Sequence, residues 1–95
     1  MDKHELKARV DAQTHEWNRN LEIMKAKADA ATGDAKVRYS EKVAQLQQQF
    51  DEFKVKAATT WDAADSTWDQ TSKDLERTWA EWEVRAKSAW NDLTK

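Results

Sequence analysis

The sequence predicts an all-α protein of long amphipathic helices with an eleven-residue apolar repeat, packed as a helical hairpin or bundle. The main observation is that large apolar side chains recur every eleven residues, a spacing that completes three helical turns at about 3.67 residues per turn. The two longest series are Leu6, Trp17, Ala28, Tyr39, Phe50, Trp61 and Met24, Ala35, Leu46, Ala57, Trp68, Trp79, Trp90. The chain also has no proline and a single glycine, so it has few means of forming irregular loops.

Charged residues fill the positions between the apolar series, and many acids precede a base by four residues. The pairs in this order are Glu5 and Arg9, Asp34 and Arg38, Glu52 and Lys56, Asp69 and Lys73, Glu81 and Arg85, and Glu83 and Lys87. Each such pair stabilises a helix by about 0.2 to 0.5 kcal/mol. The pattern therefore predicts helices whose outer face is solvated.

The length fits a single helical domain, 1–95, with candidate breaks near 32–34 and 58–60. Gly33 is suited to a left-handed position after a helix, and Asp34 is suited to capping the next one. Thr59, followed three residues later by Asp62, resembles a capping box. Zero, one or two turns fit the pattern. We favour at least one, because an unbroken helix would be about 140 Å long and would leave its apolar stripe for other chains to cover.

Composition excludes several classes of partner and compartment. Eighteen acids against sixteen bases give a net charge of −2, so we expect no nucleic acid partner. The chain has no cysteine, its first ten residues are charged without an apolar core, and no apolar run approaches the length of a membrane span. These features predict a cytoplasmic protein.

The six tryptophans are the most unusual content, and we predict that they form the interaction stripe. They are Trp17, Trp61, Trp68, Trp79, Trp82 and Trp90. The favoured interpretation is that they pack between helices, within one chain or between chains. The alternative is a helix that lies on a lipid surface, since tryptophan favours the membrane interface. The polar face beside residues 61–90 is rich in aspartate and glutamate and would be repelled by anionic lipid, so we do not expect a membrane surface as partner.

Motifs for catalysis, metal binding and cofactor binding are absent from the sequence. His4 and His15 are eleven residues apart, which is about 16 Å along a helix and too far to share a metal ion. The chain has no HExxH, no phosphate-binding glycine loop, no glycine-flanked nucleophilic serine and no cysteine. We therefore expect no enzymatic activity, no metal and no cofactor.

Several segments resemble the short bacterial coiled-coil domain-containing proteins that are associated with stress response. The resemblance rests on residues 26–30 (Ala-Lys-Ala-Asp-Ala), on Tyr39 followed by Ser-Glu-Lys, and on Trp68 and Trp79 eleven residues apart. It covers about residues 6–90, and the chain departs from the family pattern at Trp61, Trp82, Trp90 and Gly33. The resemblance implies a cytosolic helical accessory protein without enzymatic activity or a defined ligand.

Two function classes follow from these observations. The first is a structural or interaction protein, possessing no catalytic site, that assembles through its tryptophan stripe into a homo-oligomer or with another helical protein. The alternative is reversible binding to a lipid surface or another apolar surface, in which a helical bundle opens and its stripe docks. Vesicle-induced changes in tryptophan emission would distinguish the two classes.

Overall fold

Three helices of nearly equal length make up the computed structural model, which describes residues 2–94. Helix α1 spans Lys3–Ala30, α2 spans Gly33–Trp61 and α3 spans Asp65–Leu93. Short turns join them into an up-down-up bundle of 52 × 18 × 17 Å. The prediction of an all-α fold with packed amphipathic helices is confirmed; residues 1 and 95 of the expected domain lie outside the described residues.

Contacts between distant residues define how the helices run. Lys3 Nζ donates to the carbonyl of Ala63 at 3.1 Å, which brings the start of α1 to the turn between α2 and α3. At the opposite end, Lys42 Nζ lies 3.2 Å from a carboxylate oxygen of Asp92. Helix α2 is therefore antiparallel to both neighbours, and it contacts each of them more extensively than α1 and α3 contact each other.

The start of α1 follows from a capping side chain. Asp2 is extended, and its carboxylate accepts a hydrogen bond from the backbone N–H of Glu5 at 2.9 Å. Such a cap satisfies one of the unpaired N–H groups at a helix start and stabilises the helix by about 1 kcal/mol. The acidic side chain of Glu5 in the first turn also favours the positive end of the helix dipole.

The first turn is close to the predicted break at 32–34, although its residues have different roles. Helix α1 already ends at Ala30, and Ala31 and Thr32 are extended. Gly33 has a φ of 62°, the left-handed conformation that its sequence position suggested, but it is the first residue of α2 rather than the residue after α1. Asp34 lies within the first turn of α2, so its predicted capping position is wrong.

The second turn lies at 62–64 rather than at the predicted 58–60. Thr59 and Thr60 remain helical, and each hydroxyl donates to the carbonyl of Lys56 at 2.8 Å. Because both hydroxyls bond back into the helix, Thr59 does not cap α3, and the predicted capping box is absent. Thr60 is also almost fully buried, so the last turn of α2 packs against the rest of the bundle up to the helix end at Trp61.

The core is a continuous cluster of apolar side chains from all three helices. Its buried members are Leu6, Val10, Trp17, Leu21, Met24, Ala28, Val43, Leu46, Phe50, Phe53, Ala57, Leu75, Trp79, Trp82, Ala86 and Ala89. Tyr39, Trp61, Trp68, Trp90 and Leu93 pack against this cluster while remaining partly exposed. The eleven-residue series therefore mark the core face of each helix.

Ion pairs on the surface follow the sequence pattern only in part. Glu83 and Lys87 form the predicted pair at 3.6 Å. Lys56, which the spacing pairs with Glu52, instead contacts Asp74 of α3 at 2.6 Å. Within residues 2–94, the other predicted pairs do not approach to 4.0 Å. Exposed pairs of this kind contribute little to helix stability, which explains why their side chains are free to take other partners.

Candidate interaction surface

Three of the predicted stripe residues form a closed aromatic cluster inside the chain. The rings of Trp17 and Trp82 meet edge to face at 5.2 Å, so α1 and α3 are joined directly. Trp82 also lies 5.2 Å from Phe50 and from Trp79, and Trp79 lies 5.0 Å from Phe53. Trp17, Trp79 and Trp82 are each at least nine-tenths buried. Their rings are therefore occupied by contacts within one chain.

The two buried indoles of α3 differ in their hydrogen bonding. Trp82 Nε1 donates to the carbonyl of Leu46 at 3.1 Å, across the interface between α3 and α2. Trp79 Nε1 is buried and has no acceptor among residues 2–94. A buried donor without a partner destabilises a fold by about 1 to 3 kcal/mol. The buried ring of Trp79 thus stabilises the bundle, whereas its unpaired N–H lowers the stability.

The remaining stripe residues are divided between the two ends of the bundle. Trp61 and Trp68 lie 6.3 Å apart beside the second turn, and Lys3 Nζ lies 5.3 Å from the ring centroid of Trp68. Trp90 is half-buried near the end of α3, where Lys42 and Asp92 pair. Three of the six tryptophans are thus buried in the middle of the bundle, and the other three pack against the same core near its two ends while remaining partly exposed.

A groove lies between α1 and α2, and none of its lining residues is a tryptophan. Its volume is about 700 Å³. Eleven residues line this α1–α2 groove: Lys25, Ala28, Asp29, Ser40, Val43, Ala44, Gln47, Gln48, Asp51, Glu52 and Val55. The α2 positions recur at intervals of three and four residues and so form one continuous strip along the helix. From Ser40 to Val55 the strip is about 22 Å long.

The surface of the groove suits contact with another helix. Small side chains at Ala28, Ser40 and Ala44 line it and permit close approach, while Val55 is 67% exposed. Residues 43–50 contain no charged side chain, although charged residues make up 36% of the chain. The uncharged lining residues Val43, Ala44, Gln47 and Gln48 could take the centre of such a contact without desolvating a charge. The charged lining residues, Lys25, Asp29, Asp51 and Glu52, lie beside them.

Two glutamines hold acidic side chains along the edge of this groove. Gln47 Nε2 donates to a carboxylate oxygen of Asp51 at 3.1 Å, and Gln48 Nε2 donates to Glu52 at 3.4 Å. Each bond joins residues one turn apart on the same helix. Because the donors are neutral amides, they orient the carboxylates without neutralising them.

A polar network outside the groove lining joins α2 to α3. Asp74 accepts from Arg77 and contacts Lys56, each at 2.6 Å, and Lys56 also donates to Thr78 at 3.0 Å. The hydrogen bond from Lys56, with support from Arg77, lowers the pKa of Asp74 below its ordinary 3.8 despite partial desolvation of the carboxyl. This network links α2 to α3 at the surface of the bundle.

The histidines and acidic residues do not assemble a metal site in the part of the chain that the structure describes. His4 and His15 are both exposed on α1. Within residues 2–94, no group of three or more histidine, aspartate or glutamate side chains is arranged to hold a metal ion. None of the helices described is long and apolar enough to cross a membrane.

Sequence reasoning missed the α1–α2 groove because the periodic signal of the core dominated the pattern. Two features of the sequence could have indicated it: the uncharged stretch 43–50 and Val55, an exposed valine of α2 that lines the groove. Val55 lies outside the main apolar series. A search for a second strip of weakly polar residues on the same helix would have found both features.

Comparisons of the chain with protein-family models, with curated proteins and with solved structures gave no match.

Proposed function

We propose that this chain is a non-enzymatic helical interaction protein that binds an α-helix of another protein in the α1–α2 groove. The observation that carries the proposal is the groove itself, whose α2 side is a strip about 22 Å long with small and neutral residues at its centre. Helices recognise one another by laying an apolar strip into such a groove. Burial of Trp17, Trp79 and Trp82 within one chain supports an interface outside the tryptophan stripe.

The probe for this proposal is a synthetic helical peptide of about 18 residues with alanine and leucine along one face and lysine on its flanks. Titrated into the ¹⁵N-labelled protein, it should give saturable shifts at the amides of Ser40, Ala44 and Gln48. The amide of Val84, whose side chain is 70% exposed on α3, should stay unchanged. Shifts spread over all three helices, or none at any concentration, would reject the groove as a binding site.

Two variants with the same substitution make this test specific. Ala44→Lys places a long charged side chain in the groove, whereas Ala26→Lys places it on an exposed part of α1 outside the groove. We expect Ala44→Lys to abolish saturable binding and Ala26→Lys to retain it. Equal binding by the two variants would place the peptide elsewhere. Far-UV circular dichroism of both variants checks that the bundle remains folded.

A cytoplasmic accessory role in stress response is a further part of this proposal, supported by the resemblance of residues 26–30, Tyr39, Trp68 and Trp79 described above. Loss of the chain should reduce survival of its source cells under stress and leave unstressed growth unchanged. Equal survival with and without the chain would contradict that role.

A second candidate function is docking of an opened bundle on an apolar surface. Two observations favour it: the unpaired N–H of Trp79, and a groove of about 200 Å³ between α1 and α3 that is lined by Leu6, Val10 and Trp79. Separating α1 from α3 would release that indole to find an acceptor. The acidic character of α3, with seven acids against four bases, opposes docking on anionic lipid and leaves neutral surfaces as the test.

A further inference from the structure

We infer that the partner of the α1–α2 groove presents a cationic amphipathic helix, in which a small or aliphatic strip is flanked by lysine or arginine. This inference rests on the proposed helix-binding function and adds the charge of the partner. It follows from the charges that line the groove, from the way those charges are held, and from the poor match between the groove and a second copy of the chain.

The groove carries an excess of negative charge. Its ionisable residues are the carboxylates of Asp29, Asp51 and Glu52 and the single ammonium of Lys25. Asp51 has a nearby cation in Lys54, at 3.4 Å, but this pair is about half exposed. Among residues 2–94, neither Asp29 nor Glu52 has a cation within 4.0 Å. Two carboxylates thus remain available to a cationic partner.

The carboxylates on α2 are also preorganised. The amides of Gln47 and Gln48 hold Asp51 and Glu52 on successive positions beside the neutral strip. Orienting these side chains before binding reduces the entropy that is lost when a partner pairs with them. Asp29 lies in the last turn of α1, where the helix dipole is negative and favours a cation. The excess of negative charge therefore lies on the α2 side of the groove, while on the α1 side Asp29 is matched in number by Lys25.

A second copy of this chain is a poorer occupant. Two α1–α2 grooves facing each other would bring the carboxylates of both copies together, and like charges across an interface are unfavourable. Helix α3 carries seven acids and four bases, so it cannot supply the missing positive flank. Helices α1 and α2 are each nearly balanced, with one base more than their acids. A helix from another protein, with basic flanks, complements the groove better.

The test compares two peptides that share one apolar strip and differ only in having lysine or glutamate flanks. Binding is measured by isothermal titration calorimetry at about 50 mM and about 0.5 M salt, since salt screens exposed charges. We expect the lysine-flanked peptide to bind at least about tenfold more tightly at low salt, with the ratio falling to about two or three at high salt. Equal affinities at low salt, or tighter binding of the glutamate-flanked peptide, would overturn the inference.

A double variant locates this preference on the groove. Asp51→Asn with Glu52→Gln removes two charges from the groove, and Glu16→Gln with Glu22→Gln removes two charges from an exposed part of α1. Affinity for the lysine-flanked peptide should fall about three- to tenfold in the groove variant and stay unchanged in the control. An equal fall in both variants would assign the effect to net charge rather than to the groove, and would overturn the inference.

These outcomes separate the partner's charge from the proposed function. If both peptides shift the groove amides with equal affinity, the groove binds helices and the inference about charge fails. If neither peptide shifts them, the proposed function fails as well. Sedimentation equilibrium of the protein alone should give one chain of 11.1 kDa. A dimer that Ala44→Lys converts to monomer would show a second copy as the occupant and would also overturn the inference.

Discussion

Replacing each of the two buried indoles of α3 by phenylalanine should have clearly different effects on stability. Trp82 and Trp79 are neighbours in one aromatic cluster, 3% and 7% exposed, so the loss of ring volume is similar at the two sites. They differ at the indole N–H, which is bonded to Leu46 in Trp82 and unpaired in Trp79. Comparing the two substitutions therefore measures the effect of a bonded against an unpaired indole N–H, with a nearly equal loss of packing.

The expected magnitudes follow from three contributions. Losing about 40 Å² of buried surface costs about 1 kcal/mol in each variant, and the cavity left behind adds about 1 kcal/mol. Trp82→Phe also loses a hydrogen bond of about 1 kcal/mol, whereas Trp79→Phe removes a buried unpaired donor and regains about 1 to 3 kcal/mol. Trp82→Phe should thus destabilise by about 3 kcal/mol, while Trp79→Phe should change stability by no more than about 1 kcal/mol.

Urea denaturation followed by far-UV circular dichroism measures this difference without relying on tryptophan emission. In thermal melts, a gap of about 2 kcal/mol corresponds to roughly 8 to 16 °C for a chain of this size. Equal destabilisation by the two substitutions, or a larger loss in Trp79→Phe, would refute the assigned hydrogen bonding. The Trp79→Ala variant is a control for burial and should lose about 3 to 5 kcal/mol because it removes the whole ring.

Three further predictions concern the first turn, the network between α2 and α3, and the alternative function. Gly33→Ala should destabilise by about 1 kcal/mol, because φ is 62° and only backbone strain opposes a Cβ in the open space there; a higher melting temperature would contradict this conformation. Asp74→Asn should destabilise the protein at neutral pH. Because the pKa of Asp74 is lowered in the folded state, its contribution is present above pH 3.8 and is lost as the pH falls through the lowered value, so the stabilities of parent and variant should converge in acid. A constant difference down to the lowest pH would contradict the ion pairing. Neutral vesicles should leave tryptophan emission and helicity unchanged at physiological salt, and a strong blue shift would favour the opened bundle.

The core face of every helix could be predicted from the sequence because burial imposes a period that survives across the turns. Leu6, Trp17 and Phe50 occupy the series that the eleven-residue repeat defined, and all three are buried. Helix ends were less predictable, since they depend on single hydrogen bonds. From the sequence, the hydroxyl of Thr59 could either cap a new helix or donate back to the carbonyl of Lys56. Burial of the neighbouring Thr60 continues α2 through this position, so the second bond forms.

The partition of the tryptophans could not be predicted from spacing alone. Trp79 and Trp90 belong to the same series, yet Trp79 faces Phe53 in the middle of the bundle while Trp90 lies near its end and is half-buried. The groove could not be predicted because most of its lining residues are small, polar or charged and give no strong apolar periodicity. Its shape also depends on how α1 meets α2.

Small-angle X-ray scattering with a mass measured on the same sample tests the central claim most directly: one chain closes its own aromatic core and leaves the α1–α2 groove open. We predict a mass of 11.1 kDa, a radius of gyration near the 15.2 Å of the Cα atoms and a longest dimension near 52 Å plus hydration. A mass of two or more chains with a longest dimension approaching about 140 Å, the length of an unbroken helix, would show that chains share the tryptophan stripe and would contradict the account.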